Sequence, residues 1–221
     1  AYTGADAVWA ALGRVKGQGK PVIAWLGDVT ASGGYFIAMA ADIIIAQPSS
    51  LAGSIGVFSG KFVAEGLLSN LGIRIESYSR GENATIDSPA DRFTVAQRRK
   101  LADMLDRVYD DFTAKAAEAR GLSEAEIDAV ARGRIFAGTD AGANGLVDRI
   151  GGYPDVLAVL RDKLALDPDA DLNLFPYPPP PDPLEALIQA LQSGRLFAAM
   201  GELTRLLSLL GEAEALLRTP G

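Results

Sequence analysis

Chemistry in this chain has to be done with a short list of side chains, because it contains no histidine and no cysteine. The missing histidine removes the Ser-His-Asp triad, the HExxH zinc site and the usual general base near neutral pH. The missing cysteine removes disulfides, thiolate nucleophiles and Cys-ligated zinc or iron–sulfur sites. Lysine, tyrosine and the carboxylates remain for acid–base work. Against that list the segment Gly27-Asp-Val-Thr-Ala-Ser-Gly-Gly-Tyr35 is notable. It ends a buried apolar run and opens a helical one. A serine there can be held out on a tight turn, and the glycines after it permit close backbone approach and leave N–H groups free. The helix N-terminus adds positive partial charge where an oxyanion would develop. Ser32 is therefore a candidate nucleophile and the Gly33 amide a candidate oxyanion donor. Small residues at such junctions also serve close packing and N-capping, and that reading stays open.

A serine nucleophile needs a base, and without histidine the best remaining one is a lysine kept neutral by burial. The lysines are Lys16, Lys20, Lys61, Lys100, Lys115 and Lys163. All but Lys61 sit among polar residues on expected helix faces or ends and read as solvated surface charge. Lys61 follows Ser59-Gly60 and could lie nearer the site. Asp110-Asp111 reads as helix surface rather than a glycosidase pair. Gly53-Ser-Ile-Gly56 lacks the Gly-Lys-Ser/Thr of a P-loop. No cofactor and no metal site is expected.

These residues need elements to hold them. Val8, Leu12 and Val15 are spaced for a helix over residues 5–15. Apolar runs bounded by breakers predict strands at 21–27 and 42–46, with further strands at 54–58 and, by alternation, 73–78. Residues 28–34 read as a turn, and 35–41 and 62–71 as helices. Strand–helix alternation predicts βαβ units and a largely parallel sheet, which places ligands at the carboxyl ends of its strands. A long polar loop follows at 79–93. Thr94 and Gln97 form a capping box for the longest helix, which carries the stripe Leu101, Leu105, Val108 and Phe112 towards Arg120. A second box, Ser123 and Glu126, opens a helix to residue 132. A helical turn over 139–144, a strand over 146–150 and a helix from Pro154 to residue 164 complete the domain.

Residues 176–183 are proline-rich and predict a stiff polyproline II linker. They divide an α/β domain, 1–175, from an amphipathic helical extension, 184–221, which could pack on the domain, on another subunit or on a membrane surface. With 221 residues, 48% hydrophobic and 22% charged, the chain suffices for one sizeable core plus an extension. Its net charge of −7 argues against a nucleic-acid groove. No apolar run is long enough to span a bilayer. The opening AYTGADAVWAAL has no signal-peptide pattern and no Met, which reads as a fragment or a processed chain.

The ordered segments Thr30-Ala-Ser-Gly-Gly-Tyr-Phe36, Ala41-Asp-Ile-Ile-Ile-Ala46 and Pro48-Ser-Ser-Leu-Ala-Gly-Ser-Ile-Gly-Val57 resemble the signal peptide peptidase A (protease IV) family. So do Gly133-Arg-Ile-Phe-Ala-Gly138 and Ala143-Asn-Gly-Leu-Val-Asp148, and the resemblance covers roughly residues 1–165. It implies an α/β fold with a Clp-protease/crotonase-like core, a mostly parallel sheet, flanking helices and, here, a C-terminal helical extension. It also implies a serine endopeptidase of Ser–Lys dyad type that degrades cleaved signal peptides or other apolar peptides. Such an enzyme would be a homo-oligomer, membrane-associated on the extracytoplasmic (periplasmic) face, with its anchor outside this chain. By position, Ser32 matches the nucleophile and Gly33 an oxyanion-hole residue. Ser54, 22 residues after Ser32, matches the serine that hydrogen-bonds the catalytic lysine, although alone it reads as a turn hydroxyl.

One departure matters. The loop Gly81-Glu-Asn-Ala-Thr-Ile-Asp-Ser-Pro89 has no lysine where short members carry theirs; Ala84 stands at about that place. Long members consist of two similar halves, the serine coming from the C-terminal half and the lysine from the N-terminal one. This chain resembles the C-terminal half, so the base and a second oxyanion donor are expected from an N-terminal homologous half. Some of Tyr35, Phe36, Ile55 and Val57 are expected to border an apolar pocket, the others to be core. Two other readings stand beside this one: a crotonase-like acyl-coenzyme A enzyme in which the serine is incidental, and a non-catalytic assembly fragment lacking the base.

Overall fold

The computed structural model describes residues 2–179, 182, 185 and 188. In chain order it has α1 (Tyr2–Gly17), β1 (Ile23–Leu26), β2 (Val29–Ala31), α2 (Gly33–Ala38), β3 (Ile43–Ala46), β4 (Leu51–Gly53) and α3 (Glu65–Asn70). There follow α4 (Val95–Arg120), α5 (Glu124–Val130), β5 (Ile135–Ala137), α6 (Gly138–Ala143), β6 (Arg149–Ile150) and α7 (Tyr153–Lys163).

The two apolar runs expected to be strands pair with each other. β1 and β3 are parallel, with Ile23 beside Ile43 and Leu26 beside Ala46, and β6 lies parallel on the other edge of β3. A second sheet has the order β2-β4-β5, with β2 and β4 parallel and β4 and β5 antiparallel. The fold is therefore α/β with mostly parallel pairing and flanking helices. Its core is built on Leu26, Tyr35, Phe36, Met39, Ile44, Ile45, Ile55, Ile127 and Leu146, all essentially removed from water. Each such side chain contributes on the order of 1.5–3 kcal/mol of burial energy.

Both capping boxes form. The Thr94 hydroxyl accepts from the Gln97 amide at 3.1 Å, while the Gln97 side chain accepts from the Thr94 amide at 3.1 Å. Ser123 and Glu126 do the same at the start of α5. α4 stops at Gly121, whose φ of 62° is the left-handed turn that glycine adopts at low cost. Within the expected stripe Phe112 is buried, and Leu101, Leu105 and Val108 are half-buried.

Several expectations need correction. Residues 28–34 are not only a turn, since they contain β2. Residues 54–58 are not a strand. The strand is Leu51–Gly53, and the φ of 96° at its last residue and of 52° at Ser54 turn the chain out of the β region there. Residues 73–78 alternate like a strand but have no strand partner among the described residues, and a strand exists only through pairing. The helix expected over 62–71 narrows to α3, and the strand expected over 146–150 narrows to β6. β5 is too short to show a period.

The chain separates into two compact units, residues 1–170 and residues 171–221. In the second, residues 171–179 form neither helix nor strand. The helical extension expected over 184–221 lies outside the described residues, apart from Glu185 and Ile188. No helix among the described residues is long and apolar enough to cross a membrane.

Candidate active site

Ser32 and Ser54 each stand one residue beyond a strand, and those strands are parallel neighbours. β2 and β4 pair with Val29 beside Leu51, Thr30 beside Ala52 and Ala31 beside Gly53. Ser32 and Ser54 directly follow the last pair, Ala31 and Gly53, so their spacing in sequence reflects the register of the sheet. Adjacent strands lie about 4.8 Å apart, which brings the two serines side by side at the carboxyl end.

Both serines hold unusual backbone. Ser32 has φ 51° and ψ −119°, and Ser54 has φ 52°. A non-glycine residue in such a conformation costs on the order of 1–3 kcal/mol and persists only where its surroundings fix it. The Ser32 amide donates to the Gly53 carbonyl at 2.9 Å, and the Ser54 amide to the Arg134 carbonyl at 2.7 Å. The Ser32 carbonyl accepts from Phe36 N–H at 2.8 Å, which starts α2. The Ser32 hydroxyl makes no capping bond, so Ser32 is not spent as an N-cap. Gly33 opens α2, where first-turn amides lack partners within the helix.

Packing locks this turn. The Phe36 ring meets Tyr2 edge-on at 5.6 Å and Phe112 at 4.9 Å. The Tyr35 hydroxyl donates to the Leu146 carbonyl at 2.8 Å, and burial pushes its phenol far above the ordinary tyrosine range. In the Ala143–Asp148 segment, Asp148 accepts from Ile44 N–H at 2.7 Å and pairs with Arg120. Gly56 is required for space: a Cβ there would lie 2.8 Å from the backbone nitrogen of Gly133.

Ser32 borders two cavities. One, of about 310 Å³, is apolar and is lined by Phe36, Val57, Val108 and Phe112 together with Gly33. The other is an open cleft of about 890 Å³ that Ser32 shares with Ser54. Of the four residues, some of them expected at an apolar pocket, Phe36 and Val57 line it, and Tyr35 and Ile55 are fully buried core. The cleft also holds residues that sequence reasoning missed, namely Asp106 and Tyr109 from α4, Asp128 from α5, and Arg132. Their only trace in the sequence is that Asp106 and Tyr109 flank the apolar stripe of α4.

None of the lysines lines either cavity. Lys61 donates to the Thr85 carbonyl at 3.4 Å and lies 4.5 Å from the centre of the Phe93 ring. Lys16 pairs with Asp42 at 3.1 Å, while Lys20, Lys100 and Lys163 are exposed. Lys115 corrects the surface-charge expectation. It is clasped by Asp6 and Asp111, each at 2.7 Å, and Tyr2 also donates to Asp111. Desolvation works to lower the Lys115 pKa, but the hydrogen bonds it donates to Asp111 and Asp6 outweigh it and raise the value, so the amine stays charged. Ala84, at about the place where the sequence resemblance implies a lysine, sits in a turn with its amide 3.2 Å from the Gly81 carbonyl.

The chain belongs to peptidase family S49, whose model matches residues 14–167. It is 32% identical over 189 residues to the chloroplastic serine protease SPPA of Arabidopsis thaliana, covering 85% of this chain and 28% of that protein. It is 36% identical over 154 residues to Protease 4 of Salmonella typhi, covering 69% of this chain and 25% of that one. The chain thus spans about a quarter of the length of these relatives. Among solved structures it is similar to a ClpP1 mutant from Listeria monocytogenes, at 16% identity and TM-score 0.48, covering 71% of this chain and 70% of the other.

Proposed function

We propose that this chain is the nucleophile-bearing half of a serine endopeptidase of Ser–Lys dyad type. Its substrates would be cleaved signal peptides or other apolar peptides, met at a membrane on the extracytoplasmic face. The observation that carries this reading is Ser32 itself: a strained backbone, a hydroxyl not used for capping, and a place at the junction of two cavities.

In the proposed reaction the Ser32 oxygen attacks the scissile carbonyl carbon. A lysine from an N-terminal homologous half takes its proton and later delivers it to the leaving amine. The Gly33 amide donates to the oxyanion, with a second donor from the same companion half. Ser54, beside Ser32 in the sheet register, orients the incoming amine. The absence of any of the chain's lysines from both cavities supports a borrowed base, as does the small share of each relative that the chain spans. The exposed rings of Phe58 and Phe62, each 96% accessible, support a homo-oligomer in which further surface is covered.

A serine-directed phosphonate probe on the full-length protein is expected to label Ser32. Ser32→Ala should lose both that label and the hydrolysis of an apolar peptide. Retained hydrolysis in Ser32→Ala rejects the reading.

A further inference from the structure

We propose that the cleft beside Ser32 selects peptides carrying a basic side chain, and that Asp106 reads it. This rests on Ser32 being the nucleophile. Ala102, Leu105, Asp106 and Tyr109 are spaced three and four apart on α4, which places them on one helix face, and all four line the cleft. Three charged side chains lie on its wall: Asp106, Asp128 and Arg132. Two of them satisfy each other. The Arg132 guanidinium donates to both Asp128 oxygens, at 3.0 and 2.7 Å, and the Tyr109 hydroxyl reaches the same carboxylate at 3.5 Å. Asp106 makes no hydrogen bond or ion pair among the described residues.

The wall therefore presents one uncompensated carboxylate, and what surrounds it suits a long basic side chain. Ala102 and Leu105 offer apolar surface for an aliphatic stem, which Lys and Arg lay down while keeping the charged head in water. Tyr109, one turn on, adds an aromatic ring to the same wall, and such rings attract cations. An acidic side chain would instead meet Asp106 with the neighbouring guanidinium already engaged. Adjoining the cleft at Ser32, Gly56, Val57 and Phe58, the pocket of Phe36, Val57, Val108 and Phe112 accepts an apolar side chain. The two adjoining cavities together suit a substrate with an apolar residue and a basic residue close to the scissile bond. The chain's net charge of −7 favours encounter with such peptides.

The test uses the full-length protein and internally quenched apolar peptides. In these, each position flanking the cleaved bond carries Lys, norleucine or Glu in turn. At the cleft-side position kcat/KM for Lys should exceed that for Glu about tenfold at low salt, and the ratio should shrink in 1 M NaCl because Asp106 is exposed. Asp106→Asn should bring the ratio within about twofold, Asp106→Lys should invert it, and Asp106→Glu should restore it. A ratio near one at every position, or one unchanged in Asp106→Asn, overturns the proposal. Binding of labelled Lys and Glu peptides to Ser32→Ala protein, followed by anisotropy, separates this from the nucleophile reading. Turnover that survives Ser32→Ala sinks that reading. In binding, a Lys preference that depends on Asp106 supports the proposal, and equal binding overturns it.

Discussion

α4 borders two polar regions of opposite character. Where its Asp106 and Tyr109 line the cleft, the neighbouring Ser32 and Ser54 have strained backbones, and the Ser32 hydroxyl makes no capping bond. A few residues further on, Asp111 and Lys115 meet α1, and there the polar groups are mutually paired: Tyr2 with Asp111, and Lys115 with Asp111 and Asp6. Burial works to raise the Asp111 pKa, but hydrogen bonds from Lys115 and Tyr2 hold it below the ordinary carboxylate value. The seam stabilises the fold, whereas the cleft leaves the Ser32 hydroxyl and the Asp106 carboxylate unspent beside the paired Asp128 and Arg132. A partly buried lysine becomes a base only when burial acts without a carboxylate partner, and Lys115 has two.

The sharpest break of this contrast comes at Ser32. Ser32→Ala should lower kcat/KM of the full-length protein by at least about a thousandfold. Ser32→Gly should be as inactive yet more stable by about 1 kcal/mol in urea denaturation, because glycine relieves the positive φ. Gly56→Ala should cost on the order of 1–3 kcal/mol by the same measurement, since the new Cβ meets the Gly133 backbone. On the other side of the comparison, Lys115→Met should leave kcat/KM within a few-fold while lowering stability by about 1 kcal/mol, its carboxylate partners being partly exposed.

The smallest effect is in pH. Asp111 has a lowered folded-state pKa, so its stabilisation is present above the unfolded value, about 3.9. It is lost as pH falls through the folded value. Asp42 acts alike: desolvation opposes, but Val22 N–H and Lys16 win. Lys115 has the opposite sign, stabilising fully below about 10.4 and losing that as pH rises through its raised value. The melting temperature should therefore fall below about pH 4, less steeply in Lys115→Met.

What could be read from sequence was what repeats locally. The capping boxes at Thr94 and Ser123, the α4 stripe and the runs at β1 and β3 all carry short-range signals. The spacing of Ser32 and Ser54 was visible too, but its meaning as a strand register was not, since β2 and β4 are each only three residues long. Tyr35 and Ile55 show why an apolar residue near a nucleophile need not face it: both point into the core. Asp106, Asp128 and Arg132 could not be picked out because only packing brings α4, α5 and the loop after α5 to one wall. Residues 73–78 had the alternation of a strand, but alternation cannot supply a neighbour to pair with.

In the proposed reaction the hydroxyl of Ser32 belongs to this chain and the amine that deprotonates it lies outside. The most direct measurement is the rate at which a serine-directed phosphonate labels Ser32 in full-length protein with Lys16, Lys20, Lys61, Lys100, Lys115 and Lys163 changed singly to Arg, which keeps the charge but cannot act as a base. All six variants should label at close to the unsubstituted rate. If any one of them stays folded and loses the label, the base lies within this chain and the division of labour proposed here is wrong.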